Sequence, residues 1–222
     1  EGHAYQTELE RLVADLESSN ERLEQFAYAA SHDLQEPLRM VSSYLQLLDR
    51  RYGEELDEEA TEYLDFAVDG ADRMREMIDR LLRYSRVETE GEPMEAVELD
   101  DVLADARDDL QVAIDEHDAA ITAESLPRVE GDRSQLGQLF RNLLDNAIEY
   151  SGDEPPAIEI TAERTDGAWT VTVSDDGIGI DPDDQERVFE VFQRAHGRRE
   201  TAGSGIRLAL CQRIVERHGG EI

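Results

Sequence analysis

The chain has 222 residues, with 54 acidic side chains against 22 basic ones and a formal net charge of −32. A charge of that size repels nucleic acid and anionic membrane surfaces, so neither is an expected partner. All the basic residues are arginine, one cysteine (Cys211) excludes an internal disulfide, and no apolar run approaches the ~18 residues of a membrane span. The acids are spread along the whole chain. That fits a surface kept hydrated in concentrated salt, where the Debye length falls to ~3 Å at 1 M, and suggests a halophilic archaeal source. With no signal peptide and a lone thiol, the expected location is cytoplasmic, or the cytoplasmic part of a larger sensor. The chain starts inside a helical pattern and stops just after HGGE, and so is read as an excerpt with its sensor domain upstream.

Over residues 5–51 the apolar spacing is helical. Leu9, Leu16, Leu23 and Ala30 recur every seven residues, with Leu12, Ser19 and Phe26 in the partner register, a heptad seam interrupted by Ser19. Pro37 predicts a bend just after His32, because its ring clashes with the preceding turn and supplies no N–H. A charged, glycine-bearing turn at 51–57 leads to a second helix at 58–87. Two such helices expose too much apolar surface to stand alone, and a homodimeric four-helix bundle closes it most simply. Residues 88–95 (ETEGEPME) form a polar linker. The texture then changes to α/β, with helices near 99–116, 133–150 and 204–217. Strands are expected near 120–123, 157–163 and 169–174, implying a mixed sheet with helices on one face.

Several segments carry chemistry. A histidine nucleophile needs one unprotonated ring nitrogen facing solvent and an acceptor on the other; His32 is followed at once by Asp33, which can orient the ring. In RNLLDNAIEY, Asn142 and Asn146 stand four apart on one helix face, where amide oxygens can ligate Mg²⁺, and Tyr150 can stack on a purine. In DDGIGI, Asp175 after a strand offers a carboxylate to an adenine amino group, and the following glycines bare the backbone for close approach. GSGIRLAL opens a helix, placing the N–H groups of Gly203, Ser204 and Gly205 where phosphate oxygens can bind. Residues 194–202 between them read as a small, charged lid.

In order and spacing these segments resemble sensor histidine kinases of two-component systems, over nearly the whole chain. The resemblance implies a signalling coiled-coil helix at 1–25 and a dimerisation and histidine-phosphotransfer domain at 26–88. It implies a Bergerat-type α/β sandwich ATP-binding domain, shared with gyrase, at 95–222 and truncated at its C-terminus. It further implies ATP and Mg²⁺ as cofactors and a response-regulator receiver domain as partner. His32 would be the phosphoacceptor, Asp33 its acidic helper and Asn146 the Mg²⁺ ligand. Asn142 and Tyr150 would lie near the nucleotide, and Asp175 on adenine. Gly177, Gly179, Gly203 and Gly205, with Ser204, would line the pocket, while Phe189, Phe192 and Arg194 match a phenylalanine-rich segment beside the lid.

Four departures from the family pattern stand out. Glu36 replaces a Thr or Asn associated with phosphatase activity, and Glu149 stands where many members carry a phosphate-facing Lys. Arg207 replaces the third glycine of the last segment, either as a substitute cation or as a bulky residue crowding the helix start; crowding is the expectation. The closing strands are absent. Rival readings are a Bergerat ATPase driving a clamp and a dimeric signalling scaffold without turnover.

Overall fold

The computed structural model describes residues 2–88, 91–191, 193 and 205–222, and before Tyr28 the side chains of Gln6, Arg11 and Leu12 alone. The heptad positions Leu9, Leu16, Ser19, Leu23 and Phe26, and the lid with Phe192, Arg194, Gly203 and Ser204, lie outside this description. The chain folds as two compact units, Glu1–Arg86 and Val87–Ile222.

The first unit is a pair of long helices, α1 (Gly2–Tyr52) and α2 (Glu58–Arg86), joined through a 3₁₀ turn at Gly53–Glu55. Gln35 donates to Asp79 at 2.6 Å, and the Arg86 guanidinium lies 4.5 Å from the centre of the Tyr28 ring. Partners that ascend in one helix and descend in the other define an antiparallel hairpin. Asp57 starts α2 by accepting from the Ala60 N–H at 2.8 Å. Acids in its first turn and Arg83 and Arg86 in its last complement the helix dipole. Between the helices Ser31, Leu38 and Ser42 of α1 and Ala71 and Ser85 of α2 are buried. A second apolar stripe stays exposed, with Met40, Val41, Tyr44, Leu47 and Leu48 on α1 and Tyr63, Phe66 and Met74 on α2. Where the sequence predicts a bend after His32, α1 runs through Pro37 uninterrupted. The missing N–H removes only the bond that would reach the Asp33 carbonyl.

In the second unit, α3 (Leu99–Asp109), α4 (Gln111–Glu116) and α5 (Arg133–Glu149) accompany a sheet ordered β2 (Ala120–Ala123), β4 (Ala157–Thr165), β5 (Ala168–Asp175). β2 and β4 run parallel, β4 and β5 antiparallel. Asp166 and Gly167, both at positive φ, make the two-residue turn of that hairpin. Two further strands, β1 (Glu95–Glu98) and β3 (Arg128–Gly131), pair separately and antiparallel, with Val97 opposite Val129. Ile158 and Ile160 of β4 are buried with Val102, Leu103 and Ala106 of α3 and Phe140, Leu144, Ala147 and Ile148 of α5, while alternate β4 residues Ala157 and Glu159 are exposed. One face of the sheet thus carries the helices, as the alternation predicts.

Three features differ from the sequence reading. The polar linker ends in β1, whose four residues hold a single buried valine, too short a pattern to register as a strand. The helix predicted at 99–116 is two helices, because the backbone leaves helical geometry at Leu110 (φ −99°, ψ 7°) with no glycine or proline to announce it. The last helix, α6, spans Arg207–Arg217 and so starts three residues later than predicted. Gly205 holds φ 67° and the buried Ile206 is the N-cap, so a left-handed residue ends the approach before the helix begins.

A buried polar cluster fixes α5 against α6. Asp132, 1% exposed, caps α5 by accepting from the Gln135 N–H at 3.1 Å. Its carboxylate also accepts from the Glu92 N–H at 2.7 Å and from Arg217 at 2.9 Å. The Asp132 N–H donates to His218 Nε2 at 2.9 Å, and His218 Nδ1 lies 2.7 Å from the Ile214 carbonyl. Together these assign the neutral tautomer with its proton on Nδ1.

Candidate active site

On α1, Ser31 is buried in the hairpin seam and the next residue, His32, therefore faces outward, its side chain 66% exposed. His32 Nδ1 lies 3.4 Å from Asp33 Oδ1, and the Asp33 side chain is 85% exposed. A proton held on Nδ1 by that carboxylate leaves the Nε2 lone pair turned to solvent, which is the form a nucleophile needs. The Gln35–Asp79 bond locks the two helices together less than a turn further along. Glu36 is exposed on the same stretch.

In the second unit the chemistry collects at the C-terminal half of α5. Asn142 and Asn146 both turn toward α6, and their counterparts there, Cys211 and Arg207, are likewise four residues apart. Cys211 is buried, and burial pushes its thiol up to about 12, with the Asn142 side chain and the Arg207 charge pulling the other way. Arg207 donates to Asn146 Oδ1 at 3.1 Å and to Glu149, and pairs with Asp145 at 2.9 Å; its side chain is 15% exposed. Two carboxylates against one guanidinium leave a single net negative charge on this turn. The arginine does not crowd the start of its own helix. It folds across onto α5.

Where α5 ends, the Tyr150 carbonyl accepts the Ile178 N–H at 3.0 Å and so holds the loop that follows β5. Asp175 Oδ1 accepts from the Gly177 N–H at 2.9 Å, and Asp176 accepts from the Ala157 N–H at 2.9 Å. A side chain at Gly177 would collide with the Tyr150 carbonyl oxygen and meet Asp175 Oδ1 at 2.8 Å, so only glycine fits. Gly179 holds φ 72°. The Asp175 carboxylate is exposed, and Tyr150 is half-buried.

Residues 22–90 match the His Kinase A (phospho-acceptor) domain, and residues 131–222 match the histidine kinase-, DNA gyrase B-, and HSP90-like ATPase family. The chain belongs to the histidine kinases. This histidine kinase is 46% identical over 215 residues to the phytochrome-like protein Cph1 of Synechocystis sp., covering 97% of this chain and 29% of that protein. It is 34% identical over 220 residues to the methanogenesis regulatory histidine kinase FilI of Methanothrix harundinacea, covering 97% of this chain and 24% of that one. The chain therefore spans less than a third of the length of these relatives. Its fold is similar to that of full-length ShkA, solved in complex with AMPPNP, with a TM-score of 0.63 at 24% identity over 88% of this chain and 41% of ShkA.

Set out on the histidine kinase fold, His32 and Asp33 stand together on the first unit. Asn142, Asn146, Tyr150, Asp175, Gly177, Gly179 and Gly205 all belong to the second. Asn142, four residues before Asn146, is turned onto Cys211. Two participants escaped the sequence reading: Asp145, which shares Arg207, and the Tyr150 backbone carbonyl, which anchors the glycine loop. Mg²⁺ is the metal the fold family implies, and the donor set at Asn146 does not suit it. The amide oxygen and both neighbouring carboxylates already accept from one guanidinium, and a divalent ion there would sit directly against that fixed positive charge. Among the described residues no group of three His, Cys, Asp or Glu side chains is arranged to hold a metal.

Proposed function

We propose that this chain is the catalytic core of an ATP-dependent protein histidine kinase, a homodimer that phosphorylates His32 and passes the phosphoryl group to an aspartate of a response-regulator receiver domain. The observation that carries the proposal is the outward-facing His32, with Nδ1 against Asp33 and Nε2 toward solvent, on a chain that also holds the ATPase family's motifs. In the first step Nε2 attacks the γ-phosphorus of ATP in line. The bond from that phosphorus to the β,γ-bridging oxygen breaks, and ADP leaves. The imidazolium that forms gives its Nδ1 proton to Asp33 or to water, so the ring is neutral again. In the second step a receiver carboxylate attacks the same phosphorus, the P–N bond breaks, and an acyl phosphate forms.

ATP is assigned to the second unit, between α5 and the glycine-bearing segments. Asp175 lies at the mouth of a loop rigidly tied to α5 and is proposed to accept from the adenine amino group; Tyr150, Gly177, Gly179 and Gly205 are proposed to shape the pocket. The homodimer reading is supported by the uncovered apolar stripe of the hairpin. No helix among the described residues is long and apolar enough to cross a membrane. The dispersed acidic charge supports operation in concentrated salt.

Incubation with γ-phosphate-labelled ATP tests the proposal. Label stable to alkali and lost in acid is expected, absent from His32→Ala while nucleotide binding persists. Label retained in that variant refutes the assignment of His32.

A further inference from the structure

Arg207 is the first residue of α6, yet its side chain serves α5. It meets Asn146 Oδ1, Glu149 and Asp145, all within about one turn of that helix, and its side chain is largely buried there. A guanidinium is permanently charged and presents a planar fork of donors, so it matches a cluster of oxygens in much the way a hard cation does. The position of the arginine is fixed from both sides: the buried Ile206 precedes it, and Cys211, one turn further on, is buried beside Asn142. The chain contains no lysine, so arginine is its one permanently charged basic side chain.

We propose that Arg207 is a tethered cation standing in for a divalent metal on α5, so that this site binds its nucleoside triphosphate without metal and keeps Mg²⁺ away from Asn146. The inference rests on the ATP reading above. Mg²⁺ demands a near-octahedral shell of oxygens, and at Asn146 Oδ1 it would have to share the oxygen with the arginine N–H 3.1 Å away, beside a fixed positive charge. The guanidinium repels a second cation placed at contact distance. Remove the arginine, and Asp145 and Glu149 become two neighbouring negative charges without the guanidinium that pairs with both. A polyphosphate cannot approach that surface until a metal neutralises it. Arg207 is thus a specificity-determining residue whose loss converts a metal-indifferent site into a metal-dependent one.

Calorimetric titration with AMPPNP, in EDTA and in excess Mg²⁺, tests this on the whole chain, on Arg207→Gly and on Arg207→Gln, with thermal melting as the check on folding. The glutamine variant keeps bulk and helix propensity should glycine loosen the start of α6. The native chain is expected to bind equally in both buffers, and each variant to bind about tenfold or more tightly with metal than without. A native chain whose affinity rises with Mg²⁺ as much as that of the variants overturns the proposal, and so do variants that remain indifferent to metal. A native chain that binds nothing while the variants bind with metal also overturns it, since the arginine would then merely block the site. If none of the three binds in either buffer, the ATP reading fails instead, and Mn²⁺ titration followed by electron paramagnetic resonance decides the tethered cation. Retention of Mn²⁺ by the variants alone upholds it, and identical behaviour of all three overturns it.

Discussion

Gly177→Ala is the sharpest probe of how the loop after β5, the proposed nucleotide loop, is held. A methyl group built there would sit 2.8 Å from Asp175 Oδ1, 3.2 Å from the Tyr150 carbonyl carbon and closer still to its oxygen. Those separations are well inside the ~3.5 Å of an ordinary carbon contact, so the loop or the end of α5 must retreat. The retreat strains two bonds at once: Ile178 N–H to Tyr150 at 3.0 Å and Gly177 N–H to Asp175 at 2.9 Å. Overpacking of this kind costs about 2 kcal/mol, and if it is expressed as loss of the binding-competent loop, nucleotide affinity falls roughly thirtyfold. Calorimetry with AMPPNP measures the affinity, and a melt of the same sample reports the fold. Gly167→Ala is the control, because that glycine at φ 88° has no neighbouring atom within 4 Å of an added side chain and lies in the β4–β5 turn. It should lower stability by about 1 kcal/mol through backbone strain alone and leave affinity untouched. A Gly177→Ala chain that binds AMPPNP like the native one would refute the loop's dependence on Tyr150.

Asp132→Ala leaves the half-buried Arg217 without its main counter-charge and α5 without its cap, so unfolding should be easier by about 3 kcal/mol and the melting temperature lower by about 10 °C; an unchanged melt would show the cluster to be inert. The Cys211 thiol, at about 12 instead of 9.0, holds about a thousandfold less thiolate near pH 8 than an exposed one, so iodoacetamide should label it only after denaturation. Because folding raises that value, the thiol's share of stability is complete below pH 9.0 and is lost as pH climbs toward about 12, which a series of alkaline melts against Cys211→Ala can follow. Sedimentation should show the hairpin dimer tightening between about 0.1 M and about 2 M salt as self-repulsion is screened. Equal association throughout would contradict the role assigned to the −32 charge.

What the sequence disclosed is local in character. His32 with Asp33, the Asn142–Asn146 pair and the Asp175–Gly177 step are set by neighbours at most four residues away, and helix or loop periodicity places them without reference to the rest of the chain. The two hairpin helices and the strands β2, β4 and β5 were legible for the same reason, since each carries a full run of apolar spacing. The strands β1 and β3 were not, because each offers one valine and their pairing closes a separation of some thirty residues. Arg207 could be recognised as foreign to its motif, but its destination could not. Its partners lie 58 and 61 positions back in the chain and become neighbours only when α6 packs on α5. The fit of Gly177 against Tyr150 is hidden likewise, because a backbone carbonyl leaves no signature in a sequence.

The proline inside α1 has a mechanical meaning. A helix of 51 residues transmits twist and bending along its length as a stiff rod does, except where its internal bonding is thinned. Pro37 thins it at one place, by depriving the Asp33 carbonyl of its donor, and that place is the turn immediately following His32. Strain entering α1 at either end therefore concentrates there, because deformation is cheapest where one rung of the ladder is already gone. His32 is mounted beside the rung that Pro37 removes, so a small distortion elsewhere along α1 changes chiefly the direction in which its ring points.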